Sequence, residues 1–172
     1  MKNYKVVVTG PFSAGKTQFI RTASDIDIVT TERRITEAGV AQGDKQETTV
    51  AMDYGQKRLG DSVFHLYGTP GQARFEFMWP ILSREMDAFV LMVDSTNRTG
   101  LMDAMQIVRL FRKRANVPHV IVANKQDLDS ALAPEEIRRL LNLPDTVAVA
   151  PCVAHDKTSV RKVLERIQQI LA

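Results

Sequence analysis

"TGPFSAGKTQFI", Thr9 to Ile20, follows the apolar run "YKVVV" and decides how the rest of the chain is read. Gly10, Gly15, Lys16 and Thr17 fill the pattern G-x-x-x-x-G-K-[ST] between a strand-like run and a helix-like one. Glycines let the backbone curl so that successive N–H groups point inward at phosphate oxygens. The helix opening near Gly15 adds its positive end. Lys16 brings a point charge to β- and γ-phosphates, and the Thr17 hydroxyl suits Mg²⁺. Gly10, Ser13, Ala14, Gly15, Lys16, Thr17 and Gln18 are therefore the expected phosphate-side residues. The loop alone does not separate ATP from GTP.

The remaining bulk properties narrow the class without deciding it. A chain of 172 residues with 44% apolar and 25% charged residues can bury a core of its own, read here as one domain spanning 1–172. A net charge of +3 is too mild to point to nucleic acid, and none is expected as a partner. The basic stretch "RLFRKR" (Arg109–Arg114) reads as a solvated helix face. One cysteine, Cys152, excludes an internal disulfide. There is no long apolar span, no glycine for myristoylation in "MKNY" and no cysteine for prenylation in "QQILA". A cytoplasmic protein without a lipid anchor is expected.

Apolar strand-like runs alternate with amphipathic helical ones. "TTVAMDYGQKRL" and "DSVFHLYG" flank Gly60-Asp61, which predicts an antiparallel hairpin. "DAFVLMVDS", "PHVIVANK" and "DTVAVAPC" are short enough for further strands. Helices are expected in "GLMDAMQIVRLFRKRA", in "PEEIRRLLNL" with Pro134 in its first turn, and in "TSVRKVLERIQQILA". The last has Thr158 or Ser159 as cap and Val160, Val163, Leu164, Ile167 and Leu171 as its apolar stripe. That order predicts a three-layer α/β domain with a six-stranded, mostly parallel sheet and one antiparallel edge hairpin strand. Asp25–Glu47 is long, polar and weakly periodic, and reads as a functional loop.

After the run "VIVA" comes Asn124-Lys125-Gln126-Asp127, the N-K-x-D pattern. A carboxylate here can accept from both the N1–H and the exocyclic amine of guanine. Against adenine, whose N1 is a lone pair, it would be desolvated and unpaired. The two motifs, spaced as they are, resemble the GTP-binding proteins of the Ras superfamily, and the resemblance runs from Tyr4 to Leu171. It implies the P-loop fold of a small G domain, GTP or GDP as ligand and Mg²⁺ as cofactor. It further implies that Asn124 braces the loop, Lys125 lies along base and ribose, and Asp127 reads the base. Val153, Ala154 and His155 occupy the family's S-A-K element, with Ala154 offering its N–H to the guanine carbonyl and His155 near the base.

The same resemblance assigns the switch elements. Thr49, with Thr48 as the alternative, matches the threonine that senses γ-phosphate and reaches Mg²⁺, so Thr17 and Thr49 are the expected metal residues. In "GTPGQ", Gly71 meets the γ-phosphate and Gln72 orients the attacking water; Gln72, Lys16 and Thr49 form the expected catalytic set. Gly68 stands where the family has an aspartate that holds Mg²⁺ through water. The expected order is no substitute acid first, Asp94 second and Asp53 a distant third. Phe12 occupies a loop position where a ring should hinder an arginine supplied by a partner. Arg74 reads as a surface residue rather than an internal arginine. "RFEFMWPIL" (Arg74–Leu82) divides evenly between core packing and partner surface.

"GPFSAGKT", "GTPGQ" and the lack of lipidation resemble prokaryotic small GTPases akin to the gliding-motility (MglA-type) regulators. That branch implies a Roadblock-type regulator or another protein effector acting through 25–58 and 69–82. The expected function is a switch that hydrolyses GTP slowly. The alternative is a nucleotide-binding interaction module with little or no hydrolysis, favoured by Gly68. A third reading, an ATP-dependent small-molecule kinase, has only Arg33-Arg34 as a hint of a basic lid.

Overall fold

The computed structural model describes residues 1–36, 47–69, 86–114 and 117–172, with side chains left out at 31–51 and 111–116. Strand β1 (Lys2–Thr9) runs into helix α1 (Lys16–Ala23), followed by β2 (Val29–Thr36), β3 (Glu47–Leu59), β4 (Ser62–Gly68) and β5 (Ala88–Asp94). Helix α2 (Arg98–Arg114), β6 (His119–Asn124), α3 (Pro134–Leu140), β7 (Ala148–Pro151) and α4 (Lys157–Leu171) complete the order. The strands form one seven-stranded sheet in the order β2-β3-β4-β1-β5-β6-β7. From β4 to β7 every pairing is parallel, while β2–β3 and β3–β4 are antiparallel.

The α/β architecture expected from the sequence is present, with one strand more. Val29–Thr36, inside the stretch read as a loop, pairs along its whole length with β3, Val29 opposite Tyr54 and Thr36 opposite Glu47. Its composition hid it: an edge strand takes its stability from ladder bonds to a neighbour, so "VTTERRIT" needs no buried apolar face. The hairpin turn at Gly60-Asp61 is as expected. Gly60 has φ 57, and Leu59 pairs with Ser62.

Two cores lie on opposite faces of the sheet. Val6, Val8, Phe64, Leu66, Val90 and Val122 pack under Phe19 and Ile20 of α1 and Val160, Val163, Leu164 and Ile167 of α4. Leu91, Phe89 and Ile121 meet Leu101, Ala104 and Val108 of α2 and Ile137 of α3 on the other. Alternating side chains on fully buried strands supply both faces at once, which is why these strands read as unbroken apolar runs. The cap of α4 is Asp156, whose Oδ1 accepts from the Ser159 N–H at 2.6 Å, not Thr158 or Ser159. The Ser159 hydroxyl is taken by the Val153 N–H at 2.8 Å. "RLFRKR" lies largely outside the described side chains; Arg109 is exposed.

β1 is flanked by β4 and β5, so the chain order reverses across it and its carboxyl end opens a crevice. Phe64 anchors this centre, fully buried and stacked on Tyr4 with ring centroids 5.7 Å apart. Phe64→Ala should cost about 3–5 kcal/mol in urea unfolding; a loss under about 1 kcal/mol would contradict the packing.

Candidate functional site

The phosphate-type loop leaves the crevice end of β1. Gly10, Ser13 and Gly15 have φ of 147, 63 and 101, the curl that brings consecutive N–H groups to one side. Two of these positions also lack room. A Cβ at Gly10 would sit 2.2 Å from the Met92 carbonyl oxygen, and one at Gly15 would sit 2.3 Å from Asn124 Nδ2. The loop borders a cavity of about 530 Å³ lined by Phe12, Ser13, Gly15, Lys16, Thr17, Gln18, Arg21, Thr30, Asp53, Gly68 and Thr69.

Lys16 is buried, and its ammonium donates to the Gly10 and Pro11 carbonyls at 2.8 Å each. Burial pulls its pKa down to about 8, against the opposing attraction of Asp53. The Thr17 hydroxyl donates to Asp53 Oδ2 at 2.6 Å, and Thr30 Oγ1 is 3.4 Å from Asp53 Oδ1. Gln18 turns its amide to the Thr22 hydroxyl at 3.0 Å while bordering the cavity. Phe12 is 76% exposed at the cavity rim.

Of the acids weighed against Gly68, Asp53, placed last, is the one that meets the Thr17 hydroxyl at the cavity. Asp94, placed above it, accepts from Lys125 Nζ at 2.6 Å and from Thr96 through its N–H at 2.9 Å and hydroxyl at 2.6 Å. Burial alone would raise the Asp94 pKa, but these hydrogen bonds and the Lys125 charge hold it below the usual carboxylate range. Asp53 faces Gly68 across the β3–β4 ladder. A Cβ at Gly68 would meet Ile20 Cδ1 at 2.7 Å, a contact that the end of the Ile20 side chain would have to yield. The signal was present in the sequence. Counting outward from the Gly60-Asp61 turn pairs Leu59 with Ser62 and, six steps on, Asp53 with Gly68.

The base-side loop is joined to the phosphate loop by one buried side chain. Asn124 Nδ2 donates to the Ala14 carbonyl at 2.9 Å, and its Oδ1 accepts from the Ala154 N–H at 2.9 Å. Ala154 thus spends on Asn124 the N–H that the family comparison reserved for a purine carbonyl. Lys125 takes φ 64 and pairs with Asp94, while Asp127 is 41% exposed with His155 Nε2 at 3.9 Å. His155 is exposed at this rim, next to half-buried Val153 and buried Ala154.

Other expected residues fall wholly or partly outside the described residues. Thr49 lies on β3 opposite Arg34, four residues before Asp53 and so about 13 Å further along an extended strand. The side chains of Thr48 and Thr49, like those of Arg33 and Arg34, lie outside the described residues, as do Gly71, Gln72, Arg74 and the whole Arg74–Leu82 stretch. Among the described residues no cluster of His, Cys, Asp and Glu suits a metal by itself, and no helix is long and apolar enough to cross a membrane.

A family model described as "Conserved hypothetical ATP binding protein" matches residues 8–172. The chain belongs to that family. Mutual gliding-motility protein MglA of Myxococcus xanthus is 27% identical over 164 residues, 87% of this chain and 82% of MglA. ADP-ribosylation factor-like protein 10 of Mus musculus is 40% identical over 74 residues, 42% of this chain and 30% of that protein. Among solved structures, the Arl6 BBS3 small GTPase of Trypanosoma brucei with bound GppNp matches with a TM-score of 0.69 at 19% identity, covering 99% of this chain and 98% of that one. The fold is that of the Ras-superfamily small GTPases, and the MglA-type branch is among the chain's relatives.

Arriving phosphates hold the Lys16 proton that the free protein loses near pH 8. Affinity for GDP should therefore be full below that pH and fall as pH rises through it, by up to about tenfold per unit. Calorimetric titration between pH 7 and 9.5 measures this, and a flat profile would contradict the burial of Lys16.

Proposed function

We propose that this protein is a guanine-nucleotide switch: it binds GTP or GDP in the crevice at the end of β1 and hydrolyses GTP slowly. The observation that carries the reading is Asn124, which ties Ala14 of the phosphate loop to Ala154 while standing three residues before Asp127. That link supports one ligand whose phosphates meet Lys16 and whose base meets Asp127. The family description names ATP. Asp127 argues for guanine, because adenine offers its carboxylate no N1–H and leaves a charge unpaired. With the Ala154 N–H engaged, the N–H of His155, next in the turn, is the donor left for the guanine carbonyl.

The residues present fit Mg²⁺. Thr17 and Asp53 are hard oxygen donors already within 2.6 Å of each other, and with phosphate oxygens and waters they would hold the ion. Bound there, Mg²⁺ offsets charge on the β- and γ-phosphates. Lys16 holds the same phosphates from the other side, and Gln72 and Gly71 retain the water-orienting and γ-phosphate roles proposed from the family. Thr49 retains the sensing role proposed from the family.

A second reading, a nucleotide-binding interaction module with little or no hydrolysis, draws on Gly68 and on the Phe12 ring at the cavity rim. Asp53 beside Thr17 weakens it. In either reading a Roadblock-type regulator or other protein effector acts through 25–58 and 69–82, in the cytoplasm; 37–46 and 70–82 of that surface lie outside the described residues.

Nucleotide released from the purified protein should be GDP or GTP, GDP should outcompete ADP by at least about a hundredfold, and Asp127→Ala should erase most of that preference. Equal competition by ADP would sink the guanine reading. Single-turnover hydrolysis separates switch from module, since an undetectable rate with Mg²⁺ and a partner leaves only the module. Asp53→Asn should raise the Mg²⁺ concentration needed to retain nucleotide by about 10- to 100-fold. Asp94→Asn should leave that requirement unchanged, and the reverse pattern would return Asp94 to the metal site.

A further inference from the structure

Asp127 carries the choice of base, yet its carboxylate is 41% exposed, and among the described residues its charge contact is His155 at 3.9 Å. Its position must be set by the residues that lead to it. Gln126, immediately before, is fastened three times. Its backbone N–H donates to the Cys152 carbonyl at 3.2 Å. Its side-chain amide donates to Ser95 Oγ at 2.8 Å and to the Leu132 carbonyl at 3.0 Å. A carbonyl can only accept, so the amide nitrogen must be the atom that faces Leu132.

The acceptors are themselves held. Ser95 is completely buried just past β5; its N–H donates to the Asn124 carbonyl at 3.1 Å, and its carbonyl accepts from the Leu132 N–H at 2.8 Å. The ring Asn124–Ser95–Leu132–Gln126 closes on the same asparagine that braces the phosphate loop. We propose that Gln126 is a positioning residue for base recognition: its amide clamps the loop to Ser95 and Leu132 and thereby holds Asp127 where a guanine edge can give it two hydrogen bonds. The proposal rests on the guanine reading above. Its physical content is that a two-point contact needs both oxygens in register, whereas the phosphate contacts sit on a different loop whose tie to Asn124 does not pass through the Gln126 amide.

The test compares GDP, inosine diphosphate and inorganic pyrophosphate on the full chain, wild type and Gln126→Met. Inosine diphosphate lacks the exocyclic amine and so reports one of the two bonds to Asp127. Methionine keeps the length of the side chain and removes both donors. GDP affinity should fall about tenfold, the preference for GDP over inosine diphosphate should shrink by at least about threefold, and pyrophosphate affinity should not change. Ser95→Ala, which leaves the Leu132 bond in place, should shift the preference in the same direction by less, and it serves if Gln126→Met does not fold. Equal losses for all three ligands, or an unchanged preference in both folded variants, would show a structural strut and overturn the proposal. A wild-type protein with no preference for GDP over inosine diphosphate would overturn the guanine reading and the clamp together, an outcome visible before any variant is made.

Discussion

Asn124 is the point at which the nucleotide loops become one site. It is 2% exposed, and both ends of its amide are satisfied by backbone, Ala14 on one side and Ala154 on the other. A buried amide is costly unless paired, so neither loop can drift without leaving a polar group stranded. The contact also dictates Gly15, whose missing Cβ is the space that Asn124 occupies. Lys16 then opens α1 where the helix end, the curled loop and its own ammonium converge on one cavity.

A second feature is the pairing of Gly68 with Asp53. Ile20, fully buried on α1, places its Cδ1 2.7 Å from where a Gly68 Cβ would stand. Asp53 stands across the ladder from Gly68 and reaches the Thr17 hydroxyl. The chain departs from the family's pattern at Gly68, and the carboxylate beside Thr17 comes from the strand paired with it.

Some of this was legible residue by residue. The loop from Gly10 to Thr17 announces itself because its requirements are consecutive: small residues for the curl, then charge, then hydroxyl. Asn124, Lys125 and Asp127 are readable for the same reason, and so were β4 to β7, whose apolar runs match burial on both faces. Val29–Thr36 was not. Its β-branched residues Val29, Thr30, Thr31, Ile35 and Thr36 were the available signal, but the stretch has no apolar alternation and its partner is β3. The α4 cap was misread by two or three residues because Asp156 and Ser159 both suit a cap, and which one serves depends on the Val153 N–H that claims Ser159.

Fold class, the curled loop from Gly10 to Thr17 and the loop that carries Asp127 were thus implicit in the order of the amino acids, since each rests on rules that act over a few neighbouring residues. The acid beside Thr17, the engagement of the Ala154 N–H and the pairing of Lys125 with Asp94 were not, although a careful count from the Gly60-Asp61 turn could have found the first. These contacts join residues 30 or more apart. Register, burial and the competition for each donor settle them, and those come into being only when the strands have paired and the loops share one interior.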